Sequence, residues 1–377
     1  MNRFCYTIYF GILPFLFSCA SEPVNKVATL KKHNLEETIY GEPGVNQISL
    51  SLQENSPAFS YSIYSSDESS EYDPYRWMLK GSSNKKNWTV IDERENQQFC
   101  SRFQEKTYTI QKPGDFEYYR IEISAKNDSL RFADIRLHSK DLNKNWKAFD
   151  YPEVEFNNEA PLTKGSEFYN SLVQYPGTFI RYHARKVAEI LFYTDKDSMN
   201  NVQKIQYTLK DYKGISAKSG HPPVISIVYS TQHVEQSAKE SMYKLDYETR
   251  GVLFHEITHA YQFEPRGIGT YSTNKEFWAC IEGLADAVRT QAGFFDIDAL
   301  RKPGGHWLDG YKTTGFFLHW LTTKDSNAIR KFHLTVRDLP QWSFDKAMKQ
   351  IFGPDSGIEI LWEEYQDFLN NQSNQGL

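Results

Sequence analysis

The chain has 377 residues and a net charge of −5, with 40% hydrophobic and 24% charged residues. That length suits two folded units, and the balance excludes a disordered or fibrous chain. There is no basic excess for a broad nucleic-acid surface, four cysteines are too few for a disulfide scaffold, and no run after residue 20 reaches the ~18–20 apolar residues of a spanning helix.

Residues 1–18 carry Arg3 and then an apolar run from Phe4 to Phe17, the pattern of an export signal. The end of that run, Leu16-Phe17-Ser18-Cys19, resembles a bacterial lipobox. The resemblance implies an exported lipoprotein, held on a membrane through lipidated Cys19, in the periplasm or at the cell surface. Residues 19–39 would then be the lipidated start and a polar tether. Cys5 would leave with the signal, and Cys100 and Cys280 read as buried free thiols.

Residues 40–150 alternate apolar and polar side chains, as β-strands do. The runs are Gln47–Leu52, Trp88–Ile91, Tyr108–Ile110 and Tyr119–Ile123. Asp73-Pro74, Gly81–Asn84 and Lys112-Pro113-Gly114 supply turns between them. Short strands at this spacing predict an all-β sandwich.

The stretches Asp73–Ser82, Asn87–Val90, Phe103, Tyr118–Ile121 and Ala133–Leu137 resemble the second half of a coagulation factor 5/8 type C (discoidin-like) domain. No clear counterpart of that family's N-terminal portion is present. The resemblance implies a partial discoidin-like sandwich with Trp77 and Trp88 in its core. Aromatic residues are as frequent after residue 150 as before it, which favours packing over a sugar platform.

Residues 151–377 are mixed, with helical patterns dominating. Val187–Thr194, Tyr247–Phe263, Glu276–Ala292 and Tyr311–Thr322 predict helices, and Ile205–Leu209 and Pro223–Tyr229 predict strands. This half predicts an α+β fold.

His255-Glu256-Ile257-Thr258-His259 lies inside one of these helices. Residues i and i+4 share a helix face, so both imidazoles can reach one ion, here Zn2+. Glu256 then lies beside the metal without binding it and can act as general base. A catalytic zinc needs a third ligand and an open position. The metzincin pattern puts a histidine six residues after the second one; Pro265 stands there. The gluzincin pattern takes a glutamate from a later helix, and Glu282-Gly283-Leu284-Ala285-Asp286 fits it. Asp286, one turn on, could hold the outer nitrogen of His255. Glu276 is the alternative ligand, without such an aspartate. A solvated helix face pairing with Arg289 is the plain structural alternative.

Hydrolysis also needs a donor to the oxyanion. Tyr311 is the first candidate and His306 the second; His319 reads as a core histidine. The strand Val224–Tyr229, shortly before the histidine helix, is a candidate sheet edge for an added substrate strand.

Residues from about 165 to 370 resemble the plant basic secretory protein family, a zincin-like group with bacterial relatives. The resemblance is carried by Val202–Ile205, Ile225–Tyr229, Gly251–Gln262, Ile281–Arg289 and Asp309–Leu318. It implies a zincin-like peptidase fold with His255, His259, Glu256, Glu282 and Asp286 at the motif positions. One departure is charge: residues 151–377 hold 24 basic against 28 acidic side chains. The expectation is a zinc-dependent, gluzincin-like endopeptidase acting on protein or glycoprotein, with no nucleic-acid partner. The alternative is a glycan- or surface-binding lipoprotein with a non-catalytic zincin scaffold.

Overall fold

The computed structural model describes residues 35–40, 45–52, 57–127 and 129–375. The export signal and the lipobox with Cys19 lie outside the described residues. Two sheets form the first half. One runs in the order β1 (Leu35–Tyr40), β2 (Asn46–Leu50), β7 (Tyr118–Ser124), β4 (Arg76–Ser82), β5 (Thr89–Arg94). The other runs β6 (Glu105–Thr109), β3 (Ser60–Tyr64), β8 (Asp134–His138).

Alternation explains how they pack. In β7, Tyr119, Ile121 and Ile123 are buried while Arg120 and Glu122 face outward. Register aligns Ile48, Ile121 and Leu79 across three strands, which makes one apolar row. This face joins Tyr61, Ile63, Ile135 and Leu137 of the smaller sheet in a single core. The first half is therefore a β-sandwich. Inside it, Trp77 Nε1 donates to Tyr61 Oη at 2.6 Å, and Tyr61 donates to Asp92 at 2.5 Å.

Several details differ from the sequence reading. Leu35–Tyr40 pairs with β2 as a strand, where a tether through residue 39 is expected. Strand β3 shows no alternation, because both of its faces are covered. Trp88 is not in the core: it is half-buried just before β5, with the Arg120 guanidinium 4.3 Å from its ring centre. Cys100 and Cys280 are both free and buried.

The second half holds a four-stranded sheet in the order β11 (Ser216–His221), β12 (Val224–Ser230), β10 (Lys204–Lys210), β9 (Glu153–Asn158). β9, β10 and β12 are parallel, and β11 is antiparallel to β12. This corrects the expected edge. Val224–Tyr229 is an inner strand with Ile225, Ile227 and Tyr229 buried on one face; the edge on that side is Ser216–His221. Helices α1 (Lys164–Leu172), α2 (Pro176–Leu191), α3 (Thr231–Glu240), α4 (Met242–Tyr261) and α5 (Lys275–Gln291) cover the sheet, and α4 packs against α2, α3 and α5. The short α6 (Ile297–Leu300) precedes α7 (Tyr311–Trp320), which crosses α5; α8 (Ala328–Asp338), α9 (Phe344–Phe352) and α10 (Ile358–Gln375) complete the fold. The predicted helix at Val187–Thr194 is the end of α2, which starts earlier with Pro176 in its first turn. Among the described residues no helix is long and apolar enough to cross a membrane.

The two halves interlock. Arg250 of α4 is buried and donates to Asp246 at 2.7 Å, to Ser101 Oγ at 3.0 Å and to the Arg102 carbonyl at 2.8 Å. Arg102 in turn forms a buried fork on Asp73, at 2.7 and 2.5 Å.

His333 of α8 acts as a staple. Its Nε2 accepts the Phe263 N–H at 3.0 Å, which leaves Nδ1 to donate to the Leu191 carbonyl at 3.2 Å. Burial pushes the ring down to about 4, against the usual ~6.5. The unfolded chain therefore takes up the proton first as pH falls. The staple's contribution is complete above about pH 6.5 and is lost toward pH 4. Thermal melts across that range should fall in Tm. His333→Phe should cost about 2 kcal/mol at neutral pH and flatten the pH dependence. An unchanged slope in the variant would remove His333 from the account.

Candidate metal centre and active site

α4 starts at the Ser241 cap and α5 at the Asn274 cap, and each cap accepts a backbone N–H of the first turn. The two helices cross so that His255 and His259 face Glu282 and Asp286. His255 Nε2 lies 3.1 Å from His259 Nε2 and 3.3 Å from Glu282 Oε2, and His259 Nε2 lies 3.7 Å from the same oxygen. A triangle of those three sides has a circumradius of about 2.0 Å, so one point is equally near all three atoms at a zinc–ligand distance. The donor set of two imidazoles and a carboxylate suits zinc.

The remaining atoms of these ligands are held in turn. His255 Nδ1–H donates to Asp286 Oδ1 at 2.7 Å, which leaves the Nε2 lone pair aimed at the common point. Gln262 lies against His259, with its amide 3.0 Å from Nδ1. Its Oε1 is buried without a partner among the described residues. A half-turn of the amide gives that oxygen the Nδ1 proton and frees the His259 Nε2 lone pair as well. Tyr271 Oη donates to Glu282 Oε1 at 2.6 Å, so Oε2 is the oxygen that faces the histidines.

Glu256 and Glu282 are each 5% exposed and Asp286 is 4% exposed, so a solvated helix face is excluded. Arg289 pairs instead with Glu248 at 2.9 Å. Charge is divided unevenly among the buried groups. Burial disfavours a proton on His255, but Asp286 and Glu282 outweigh it and lift the ring to about 10. Burial, with the neighbouring His255 charge, pushes His259 down to about 3. Burial also raises Glu256 above the ordinary carboxylate range, opposed by His255 and by a 2.5 Å hydrogen bond from Ser216 Oγ. A carboxylate raised in this way is better suited to accept and return a proton near neutral pH.

Ser216 opens β11, so the sheet edge touches Glu256 directly. The cleft between this edge and the loop before α5 has a volume of about 730 Å³ and holds His255, Glu256, His259, Glu282, Tyr271 and Tyr311 on its wall.

Tyr311 is placed there by glycines. Gly283 of α5 and Gly315 of α7 allow a close crossing: a Cβ on Gly283 would lie 2.4 Å from Thr314, and one on Gly315 would lie 2.8 Å from the Asp286 Cβ. Gly310 has φ +65°, and a Cβ there would meet the Trp278 ring at 2.6 Å. Tyr311 follows at φ +39°, a costly conformation for a tyrosine. Its ring stacks on His255 at 6.0 Å and 11°. Burial and the Glu282 charge hold its hydroxyl protonated, pKa above the usual value, as a donor must be.

Two alternatives fall. Glu276 accepts the Phe344 N–H at 2.5 Å, which commits it to the α5–α9 contact. His306 is exposed beside Trp307 and caps the Leu308 N–H; it does not line the cleft. His319 is half-buried on α7 and also stays outside the cleft. Sequence reasoning missed Ser216 and Tyr271 altogether and gave Gln262 no role. Only Gln262 had a signal, three residues past His259 at the helix end.

Zinc titration against a chromophoric chelator tests the second layer of contacts. Asp286→Asn should weaken binding about 10- to 100-fold, and Tyr271→Phe should weaken it by less. Equal affinity for Asp286→Asn and the parent would mean that Asp286 does not orient His255.

Solved structures similar to the chain include a factor 5/8 type C domain from Bacteroides fragilis, at 18% identity over 27% of this chain and 69% of that one, TM-score 0.23. A family 32 carbohydrate-binding module from Streptococcus pneumoniae is similar at 11% identity over 26% of this chain and 73% of that one, TM-score 0.23. An Arabidopsis thaliana peptide-N(4)-(N-acetyl-beta-glucosaminyl)asparagine amidase is 33% identical over 84 residues, 22% of this chain and only 12% of the relative's own length. The profile of the family described as peptidases of plants and bacteria matches residues 151–365, more than half of the chain. The protein belongs to that family of peptidases of plants and bacteria.

Proposed function

We propose that the protein is a zinc-dependent endopeptidase acting on protein or glycoprotein chains. What supports the reading is the convergence of His255, His259 and Glu282 on one point beside Glu256, in a cleft bordered by a free strand edge. β11 pairs only with β12 among the described residues, so a substrate chain can add along its outer side. Bound at that point, zinc would supply Lewis acidity to the attacked carbonyl and to the attacking water.

This chain's residues do the rest. Glu256 takes the proton of the attacking water on its carboxylate and returns it to the leaving amine. Ser216 holds the other side of that carboxylate, so the base stays oriented. Asp286 keeps His255 in the tautomer that offers Nε2. Tyr311 donates its hydroxyl to the oxyanion that forms on the attacked carbonyl. A non-catalytic scaffold has no need of a buried, hydrogen-bonded Glu256, which counts against the glycan-binding alternative. The amidase relative is named for hydrolysis at a glycosylated asparagine, so substrates offered to this protein should include glycopeptides.

The test is a peptide and glycopeptide library, read by mass spectrometry, with zinc content measured in parallel. Glu256→Gln should keep its zinc and lose at least about 100-fold in rate. Cleavage by that variant at the parent rate would sink the mechanism. Tyr311→Phe should lower kcat more than it changes KM.

The same proposal places the protein on a membrane through lipidated Cys19. Cys19→Ala should move it from the membrane fraction to the soluble fraction of cells, and unchanged fractionation would refute the anchor.

A further inference from the structure

One cation in the cleft has no counterpart. Along β11, Ser216 and Lys218 are half-buried while Ala217 and Ser219 are exposed, so the first pair shares one face, and both side chains line the cleft, which Ala217 also borders. Ser216 touches Glu256, and Lys218 stands two residues further along the edge. Its backbone pairs with Ile227, but the Lys218 ammonium forms no hydrogen bond or ion pair among the described residues.

That is out of pattern for this protein. The other half-buried lysines have partners: Lys80 with Glu122 at 2.6 Å, Lys204 with Glu155 at 2.9 Å, Lys186 with Glu189 at 3.2 Å, Lys244 with Glu248 at 2.8 Å, Lys331 with Asp325 at 2.5 Å and Lys106 with the Gln98 carbonyl at 3.0 Å. Burial lowers the pKa of Lys218, and the charges of Glu264 and Glu256 oppose that from a distance, neither forming an ion pair with it. A partly desolvated ammonium without a partner is unfavourable, and a bound anion relieves it.

We propose that Lys218 is a specificity-determining residue that receives a carboxylate of the bound peptide, an inference that rests on the peptidase reading above. The carboxylate has two possible sources: an Asp or Glu side chain, or the C-terminus of the substrate. Strand geometry gives the distance in either case. A chain added along β11 presents every second residue to the face shared by Ser216 and Lys218, about 7 Å apart. Ser216 marks the acid–base residue, so the carboxylate sits about two residues from the bond that is cut. A side-chain carboxylate there makes an endopeptidase with an acidic preference; a terminal carboxylate makes an enzyme that trims short ends.

The experiment measures binding without turnover, in Glu256→Gln protein supplied with zinc. Three fluorescent peptides of one length are compared by anisotropy. The first has an internal Glu and an amidated end, the second a free C-terminus and no acidic residue, and the third is neutral and amidated. One of the carboxylate peptides should bind about tenfold tighter than the neutral one, and which of them does so identifies the source. Adding Lys218→Ala should bring it to the neutral value, and Lys218→Arg should retain part of the preference. Equal affinities for all three peptides, or a preference that survives Lys218→Ala, overturn the inference and leave the peptide cleft standing. If none of the three binds, the peptidase reading falls along with it.

Discussion

Two helices meet here on a hydrogen bond from an imidazole to a buried carboxyl group. The 2.7 Å contact from His255 to Asp286 joins α4 to α5 in a place where water does not reach Asp286. Burying a carboxylate costs several kcal/mol unless its partner is well placed. The surrounding structure serves that placement. Capped helix starts set the two axes, Gly283 and Gly315 bring α7 in close, and Gln262 and Tyr271 hold the remaining atoms of His259 and Glu282. Disturbing any of these moves a ligand atom by a few tenths of an ångström, a large fraction of the tolerance of a metal site.

The divisions of labour follow from element type. Helices carry the groups that must not move, because two side chains one turn apart have a rigid relation. The strand edge carries Ser216 and an outer side with no partner strand among the described residues, the kind of element to which a substrate chain of the proposed class could add. The Tyr311 backbone is strained, and its neighbours hold it there: Gly310 against Trp278 on one side and the stacked His255 ring on the other. Strain maintained by close packing at a cleft points to a hydroxyl whose position matters.

Much of the site was legible in the chain because helical chemistry is local. His255, Glu256 and His259 occur within five residues, and Glu282 with Asp286 repeats the one-turn spacing. The strand edge was not legible. Ser216–His221 reads Ser-Ala-Lys-Ser-Gly-His, and an edge strand over a polar cleft has no apolar face to reveal it. The apolar run Val224–Tyr229 stood out for the opposite reason, as an inner strand whose Ile225, Ile227 and Tyr229 are buried. Tyr271 lies in a loop and acts through a fold contact, so no spacing points to it. Trp88 failed as a core residue because a half-buried cation–π pair leaves the same alternation as burial.

Arg250 has a consequence for where this protein can be cut. Its guanidinium reaches across to Ser101 and the Arg102 carbonyl, one and a half helical turns before His255. Removing the sandwich would leave that charge with Asp246 alone, and would take away the Cys100, Trp146 and Phe149 side chains that share a core with the helices. The chain thus divides by pattern near residue 150 but not by energy. A shortened version beginning there would carry α4 with a missing brace, and the weakness would lie in the helix that bears His255, Glu256 and His259.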